Sequence, residues 1–233
     1  METMNFVFDV DGTLTPSRGE MYGQFKSWFL DWAKGRNVYL ITGSDYAKTV
    51  EQVGEEVTHA VNAVYNCAGN SIYVRGQLIY KSDWHIGGDL RMFLEDWLEY
   101  SSYPTRTGTH IEERIGLCNF SIVGRGATKE QRAEYVKWDT EKRERYEIAE
   151  ALNKMFPDVE ATVAGEIGID IYKRGKDKAQ VADVLSPFVF FGDKTGPGGN
   201  DHTISLRADK VHSVYGWSDT WQVLRFMYPT ENT

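Results

Sequence analysis

Residues 6–15, Phe-Val-Phe-Asp-Val-Asp-Gly-Thr-Leu-Thr, end an apolar run in two carboxylates two positions apart. A run this short, closed by turn residues, predicts a buried strand over 5–10. Met21, Phe25, Trp28, Phe29 and Trp32 then recur at helical spacing, with Gly35 as the stop. A second buried strand is expected over 38–41, a turn at Thr42-Gly43-Ser44, and a helix beginning at Asp45. Strand, helix, strand in that order predicts a parallel sheet and an α/β fold.

The pattern changes after Asn66. Residues 71–74 and 78–81 flank Arg75-Gly76 and predict a β-hairpin. A helix over 89–100 and strands near 110–114 and 117–123 follow. Thr128-Lys129-Glu130-Gln131 fits a capping box, so a helix should start near Lys129. Asp139-Thr140 is expected to interrupt that helix before it continues toward Phe156. Strands near 159–164 and 167–172 complete an α+β block. α/β character then returns, with a helix over 177–185, a buried strand over 188–191, a Gly-rich loop, a strand near 211–214 and a helix near 218–227. The expected organisation is a discontinuous Rossmann-like parallel-sheet core from residues 1–81 and 174–233, with an inserted α+β cap over 82–173.

In an open parallel sheet, ligands sit at the carboxyl ends of the strands. Those ends here carry Asp9 with Asp11, Thr42 with Ser44, and Asp193, and Lys178 stands on the helix leading into the last section. Each suits one task of phosphoryl transfer. One carboxylate can act as a nucleophile and form an acyl phosphate. A second, its pKa raised by its neighbour, can serve as general acid and base. Mg2+ takes oxygen ligands and keeps waters, so Asp9, Asp193 and one backbone carbonyl suffice to hold it. The hydroxyls of Thr42 or Ser44 and the ammonium of Lys178 can hold phosphate oxygens.

Side chains alternate along a strand. Cys118, Phe120 and Ile122 share one face of the run 117–122, and Asn119 and Ser121 the other. In 167–172 one face is all isoleucine, and the other shows Gly168, Asp170 and Tyr172. The cap sheet therefore has an apolar face for its helices and a polar face. Arg114, Arg125 and Arg132 lie nearby, and guanidinium groups and helix N-termini both favour phosphate.

DVDGT, TGS, a late lysine and GDKTGPGGND resemble, in order and spacing, the four motifs of the haloacid dehalogenase superfamily of phosphotransferases. That resemblance implies Asp9 as nucleophile, Asp11 as acid/base and backbone ligand, Asp193 as Mg2+ ligand, and Thr42 or Ser44 with Lys178 on phosphate. RIGLCNFSIVGRGATKEQR, GEIGIDIYKRGKDK and TLTPSR extend the likeness over most of the chain, which is similar to eukaryotic-type phosphomannomutases. By that likeness Arg18, Arg114, Asn119, Arg125, Arg132 and Asp170 contact a sugar phosphate, hexose 1,6-bisphosphate is an activator, and the cap pairs two copies as a homodimer, with Phe93, Trp97 and Leu98 as candidate contacts. Helix residues of that kind are more often simply core. The chain departs from the family at Gly168, where a serine is usual, and at Lys176, where a tryptophan is usual, and it is slightly shorter. Three functions are compatible with these residues: a mutase interconverting mannose 1- and 6-phosphates, a sugar-phosphate phosphatase, and a non-catalytic sugar-phosphate sensor.

Composition narrows the partners. A net charge of -8 over 233 residues argues against nucleic acid. No apolar run approaches membrane-spanning length, and METMNF lacks a signal-peptide core. Cys67 and Cys118 have no metal-ligand spacing and are expected as free buried thiols in a reducing, cytoplasmic setting.

Overall fold

Val7 faces one side of its strand, and Phe6 and Phe8 face the other; all three are buried, so this strand needs cover on both faces. The computed structural model, which describes residues 4–230, supplies that cover. The chain forms two compact units, Met1–Lys81 with Lys176–Thr233, and Ser82–Gly175.

The first unit is built on a seven-stranded sheet. Its strands are β1 (Asn5–Asp9), β2 (Asn37–Ile41), β3 (Ala63–Asn66), β4 (Ser71–Val74), β5 (Gln77–Lys81), β10 (Phe188–Gly192) and β11 (Lys210–Ser213). Their order is β11-β10-β1-β2-β3-β4-β5. The first five run parallel, and β4 and β5 add the expected hairpin antiparallel at the edge, so the sheet is mixed but mainly parallel. Arg75 and Gly76 both take positive φ, 48° and 78°, the left-handed pair that a two-residue hairpin turn demands.

Helix α1 (Gly23–Ala33) lays Phe25, Phe29 and Trp32 on Phe6, Phe8 and Val38. Short helices α2 (Tyr46–Val53) and α3 (Glu55–Ala60) extend this layer through Val53 and Val57, and α9 (Trp217–Met227) does so through Leu224. Asp45 caps α2 by accepting from the Lys48 N–H at 2.8 Å. On the opposite face, Val7, Ile41 and Phe190 meet Val181 and Leu185 of a 3-10 turn (Lys178–Val181) and helix α7 (Ala182–Leu185), together with Ile204 of α8 (His202–Ser205).

The second unit has its own antiparallel sheet, β6 (Ile111–Arg114), β7 (Leu117–Phe120), β8 (Val159–Ala164) and β9 (Gly168–Lys173), in the order β6-β7-β9-β8. Helices α4 (Gly88–Tyr100), α5 (Lys129–Lys142) and α6 (Glu144–Met155) cover its apolar face, with Leu94, Tyr135, Ile148 and Leu152 on Phe120, Ile169 and Ile171. The capping box forms as read: Gln131 N–H donates to the Thr128 hydroxyl and Thr128 N–H to the Gln131 side chain.

Most element ends fall within about a residue of expectation, and two differ by more. Strand β7 ends at Phe120, because the Ser121 hydroxyl accepts from the Gly124 N–H and bends the chain into a turn. The helix break falls at Arg143, φ 57°, and not at Asp139-Thr140. Asp139 stays helical because its buried carboxylate accepts from both the backbone N–H and Nε of Arg145, which anchors the next helix instead. Cys67 and Cys118 are buried and form no disulfide. Among the described residues no helix is long and apolar enough to cross a membrane.

Candidate active site

Asp9 is the last residue of β1, a strand flanked by β10 and β2. Its partner in register on β2 is Ile41, so Thr42 stands one step beyond it at the same end of the sheet. After Asp9 the chain folds over itself, with the N–H groups of Thr13, Leu14 and Thr15 all donating to the Val10 carbonyl. Gly12 takes φ 75°, and a Cβ there would lie 2.8 Å from Cγ of Asp193. Glycine is thus required twice, for the turn and for the close approach of that carboxylate. From α9 the buried Thr220 hydroxyl donates to the Thr13 carbonyl at 2.7 Å and pins the turn.

Lys178 reaches Asp9 from the 3-10 turn, which Asp177 caps by accepting from the Ala179 N–H. The Lys178 ammonium, 3% exposed, donates to Asp9 Oδ1 at 2.6 Å and to Asp201 Oδ1 at 2.7 Å. Asp201, wholly buried, also accepts from the Lys194 N–H at 3.3 Å. Carboxylate oxygens of Asp9, Asp193 and Asp201 lie within 4.8 Å of one another.

Burial, then the Asp201 charge, pushes the Asp9 carboxyl up to about 8 against the pull of Lys178. Burial and then Asp201 raise Asp193 as well. For Lys178 burial disfavours the ammonium, but Asp201 and Asp9 outweigh it and hold the group protonated well above its usual range. Three carboxylates thus gather round the buried Lys178 ammonium, with Lys194 a further positive charge acting on Asp193. Hard oxygen donors with excess negative charge in a buried site fit Mg2+. In the cation-free chain Asp9 keeps its proton at neutral pH, whereas an unfolded aspartate releases it near 3.8. The folded state therefore binds the extra proton, and that contribution is lost as pH rises through about 8. A divalent cation must displace the same proton, so Mg2+ affinity, measured by calorimetric titration, should climb from pH 6 to 8 by up to about tenfold per unit and then level. A flat profile would contradict this geometry.

Asp11 is half-buried and turned by two donors. Its Oδ1 accepts from the Arg18 backbone N–H and from Gln52 Nε2, both at 2.8 Å. Arg18 therefore serves this site through its backbone, at φ 58°, with its side chain exposed. On the loop after β2, the buried Thr42 hydroxyl accepts from the Ser44 N–H at 3.1 Å. That loop is locked to the one after β3: Thr42 N–H donates to the Tyr65 carbonyl, and Ala68 N–H donates to that of Thr42. Ser44 is half-buried, and its carbonyl accepts from the Cys67 N–H and from Asn66 Nδ2.

In the second unit a polar row crosses the sheet in register, Glu112, Asn119, Asp170 and Thr162. Asn119 Nδ2 donates to Asp170 Oδ1 at 2.6 Å, while Asn119 Oδ1 is buried without a hydrogen-bond partner. Gly168 is what lets this amide lie flat: a Cβ there would stand 2.6 Å from Asn119 Nδ2 and 3.1 Å from Oδ1. The departure noted at this position has a packing consequence, since the Asn119 amide fills the space a side chain would take. Gly168→Ser is therefore expected to displace Asn119 from Asp170 and to raise the KM of a sugar-phosphate substrate several-fold, read by steady-state kinetics. Arg114 and Arg125 both pair with Glu112, and Arg132 donates through Nε to the Ala127 carbonyl. Phe93, Trp97 and Leu98 are half-buried against this unit's own core.

Three residues escaped the sequence reading. Asp201 stood inside the GDKTGPGGND motif, where a second aspartate was the available signal. Glu112, two residues from Arg114 on one strand face, was legible from alternation. Gln52 had no signal, since a glutamine on a helix reads as surface, yet it is 2% exposed.

The two units have the fold of the haloacid dehalogenase superfamily, subclass IIB. A solved sugar phosphatase of that subclass aligns with a TM-score of 0.63 over 98% of this chain and 100% of its own, at 15% identity. The family model for eukaryotic phosphomannomutase matches residues 27–229. A phosphomannomutase of Solanum lycopersicum is 35% identical over 209 residues, covering 85% of this chain and 83% of the relative. One of Saccharomyces cerevisiae is 33% identical over 240 residues, covering 95% and 93%. The chain belongs to the eukaryotic phosphomannomutase family.

Proposed function

We propose that this chain is a Mg2+-dependent phosphomannomutase that interconverts mannose 1-phosphate and mannose 6-phosphate through an aspartyl-phosphate on Asp9. The observation that carries this reading is the buried Asp9 at a strand end, bonded to Lys178 and clustered with Asp193 and Asp201, in a chain of that family. Asp9 attacks the phosphorus of hexose 1,6-bisphosphate, the ester C–O–P link breaks at phosphorus, and Asp11 gives the leaving sugar oxygen its proton. An incoming hydroxyl of a hexose monophosphate then attacks the acyl phosphate, and Asp11 takes that hydroxyl proton. The bisphosphate so formed returns its other phosphate to Asp9 when bound the other way round. Both Asp11 Oδ1 donors fix the carboxylate, which leaves Oδ2 for the shuttled proton.

Thr42, Ser44 and Lys178 hold the oxygens of the transferring group. Asp9, Asp193 and the Asp11 carbonyl would hold Mg2+, with Asp201 orienting Lys178; the ion supplies positive charge against the transferring phosphoryl group. Residues 82–173 act as the specificity cap, where Arg114, Arg125 and Arg132 take the phosphate that is not reacting, and Asn119 and Asp170 take sugar hydroxyls; the exposed Arg18 side chain is a further phosphate contact carried by the first unit. Cys67 and Cys118, which form no disulfide, favour a cytoplasmic setting. A homodimer contact falls best on α4, whose Met92 and Tyr100 are exposed.

The test supplies mannose 1-phosphate, Mg2+ and a trace of hexose 1,6-bisphosphate, and follows mannose 6-phosphate and free phosphate. Isomerisation that depends on bisphosphate, with little phosphate release, is expected. Phosphate release alone would make the chain a phosphatase, and binding without either product would make it a sensor. A further expectation concerns Asp201→Asn, which removes a negative charge within 4.8 Å of Asp9 and Asp193 and should weaken Mg2+ binding by about tenfold or more; unchanged affinity would mean that Asp201 does not act on the metal site.

A further inference from the structure

Glu112 is a carboxylate set among groups that suit an anion. From β6 its Oε2 accepts from Arg114 Nη2 at 3.0 Å and from Arg125 Nε at 2.9 Å, and its Oε1 accepts from Arg114 Nε at 3.3 Å. These are charge-assisted bonds, and one carboxylate therefore couples two guanidinium groups that come from different parts of the chain. Arg114 ends the same strand, but Arg125 belongs to a turn between Gly124, φ 85°, and Gly126. Such a turn fixes its own backbone, here through Arg125 N–H to the Thr109 carbonyl, and leaves a long side chain above it to be placed by a partner.

Arg132 completes the group. Its Nη2 donates to the Arg125 carbonyl at 3.4 Å, and its Nη1 is buried without a hydrogen-bond partner, with a Glu166 oxygen at 4.0 Å. Three guanidinium groups against Glu112 and the more distant, exposed Glu166 leave the cluster net positive, the sign that suits a phosphate monoester at neutral pH. Burial raises the Glu112 carboxyl, but Arg114 and then Arg125 outweigh it and hold the group below the usual carboxylate range, so the bridge is charged at neutral pH.

We propose that Glu112 is a positioning residue that holds Arg114 and Arg125 as one pre-set pair for the phosphate that is not being transferred. This rests on the phosphotransferase reading given above. Without the bridge each arginine keeps its charge but must be ordered by the ligand itself, which weakens binding. A carboxylate that merely opposed phosphate would have the reverse effect, since its removal would tighten binding.

The experiment compares wild type with Glu112→Ala and Glu112→Gln. Calorimetry gives the affinity for hexose 1,6-bisphosphate, and kinetics give KM and kcat for mannose 1-phosphate and for an aryl phosphate, which has no second phosphate. Glu112→Ala is expected to weaken bisphosphate binding and raise the KM of the sugar phosphate by about tenfold, with a smaller change in kcat and at least a fewfold smaller effect on the aryl phosphate. Glu112→Gln, which keeps an acceptor at the bridge, should recover part of that loss. Tighter or unchanged bisphosphate binding in Glu112→Ala would overturn the proposal, and so would an equal loss on both substrates with a lowered melting temperature. Wild-type protein that fails to bind bisphosphate at all would instead sink the functional reading on which it rests.

Discussion

Asp9→Asn should abolish turnover, by at least about 10^4-fold in kcat, while the substrate still binds. An amide oxygen has nearly the shape of the carboxylate but cannot form the acyl phosphate. The fold should not suffer. Lys178 keeps its bond to Asp201, and one of three crowded carboxylates is gone. Because crowding and burial already push Asp9 to about 8 in the cation-free chain, the neutral amide should match or exceed wild type in thermal stability in the presence of chelator, the more so above pH 8. Calorimetry with mannose 1-phosphate and a thermal melt check the two halves. Residual activity above a hundredth of wild type would refute nucleophilic catalysis by Asp9.

Lys178→Met should have the second large effect, on stability as well as on rate. The methionine keeps the volume of the stem but removes the ammonium that bonds the buried Asp9 and Asp201. Removing one partner of a buried ionic cluster costs about 3–5 kcal/mol. For a chain of this length that corresponds to a melting temperature roughly 6–20 °C lower in chelator. Saturating Mg2+ should recover part of the loss, because a divalent cation offsets the same charges. A melting temperature equal to wild type in chelator would mean that Lys178 is not the balancing charge.

The core of this site was legible because its signals are local. A strand buried on both faces reads as an apolar run, and the residues just past it must be turn formers, so Asp9, Thr42 and Asp193 were placed from the runs before them. Gly12 stands inside the DVDGT turn, and its close approach to Asp193 is a contact across 181 positions that no window shows. Asp201 lay in the same blind spot: it has no strand before it, and its partner Lys178 is 23 positions away. The helix break moved from Asp139-Thr140 to Arg143 for a related reason. Asp139 has poor intrinsic helix propensity, but its carboxylate is satisfied by Arg145 from the next helix, and tertiary bonding overrode local preference. Gln52 reversed the usual rule for helix surfaces, drawn inside by the carboxylate it orients. The cap was read through alternation, which gave the face of Asn119 and Asp170 correctly but not the bridge that Glu112 makes between two arginines.

Whether the aspartyl-phosphate proposed on Asp9 passes its phosphoryl group to a sugar hydroxyl or to water is measured most directly on the phospho-enzyme itself. Protein labelled at Asp9 by hexose 1,6-bisphosphate carrying radioactive phosphate would be mixed with mannose 1-phosphate and quenched on the millisecond scale. The expected result is label in hexose bisphosphate, formed faster than any free phosphate and absent in Asp9→Asn. Label appearing only as inorganic phosphate, at the rate seen without sugar, would contradict transfer to sugar and leave a phosphatase.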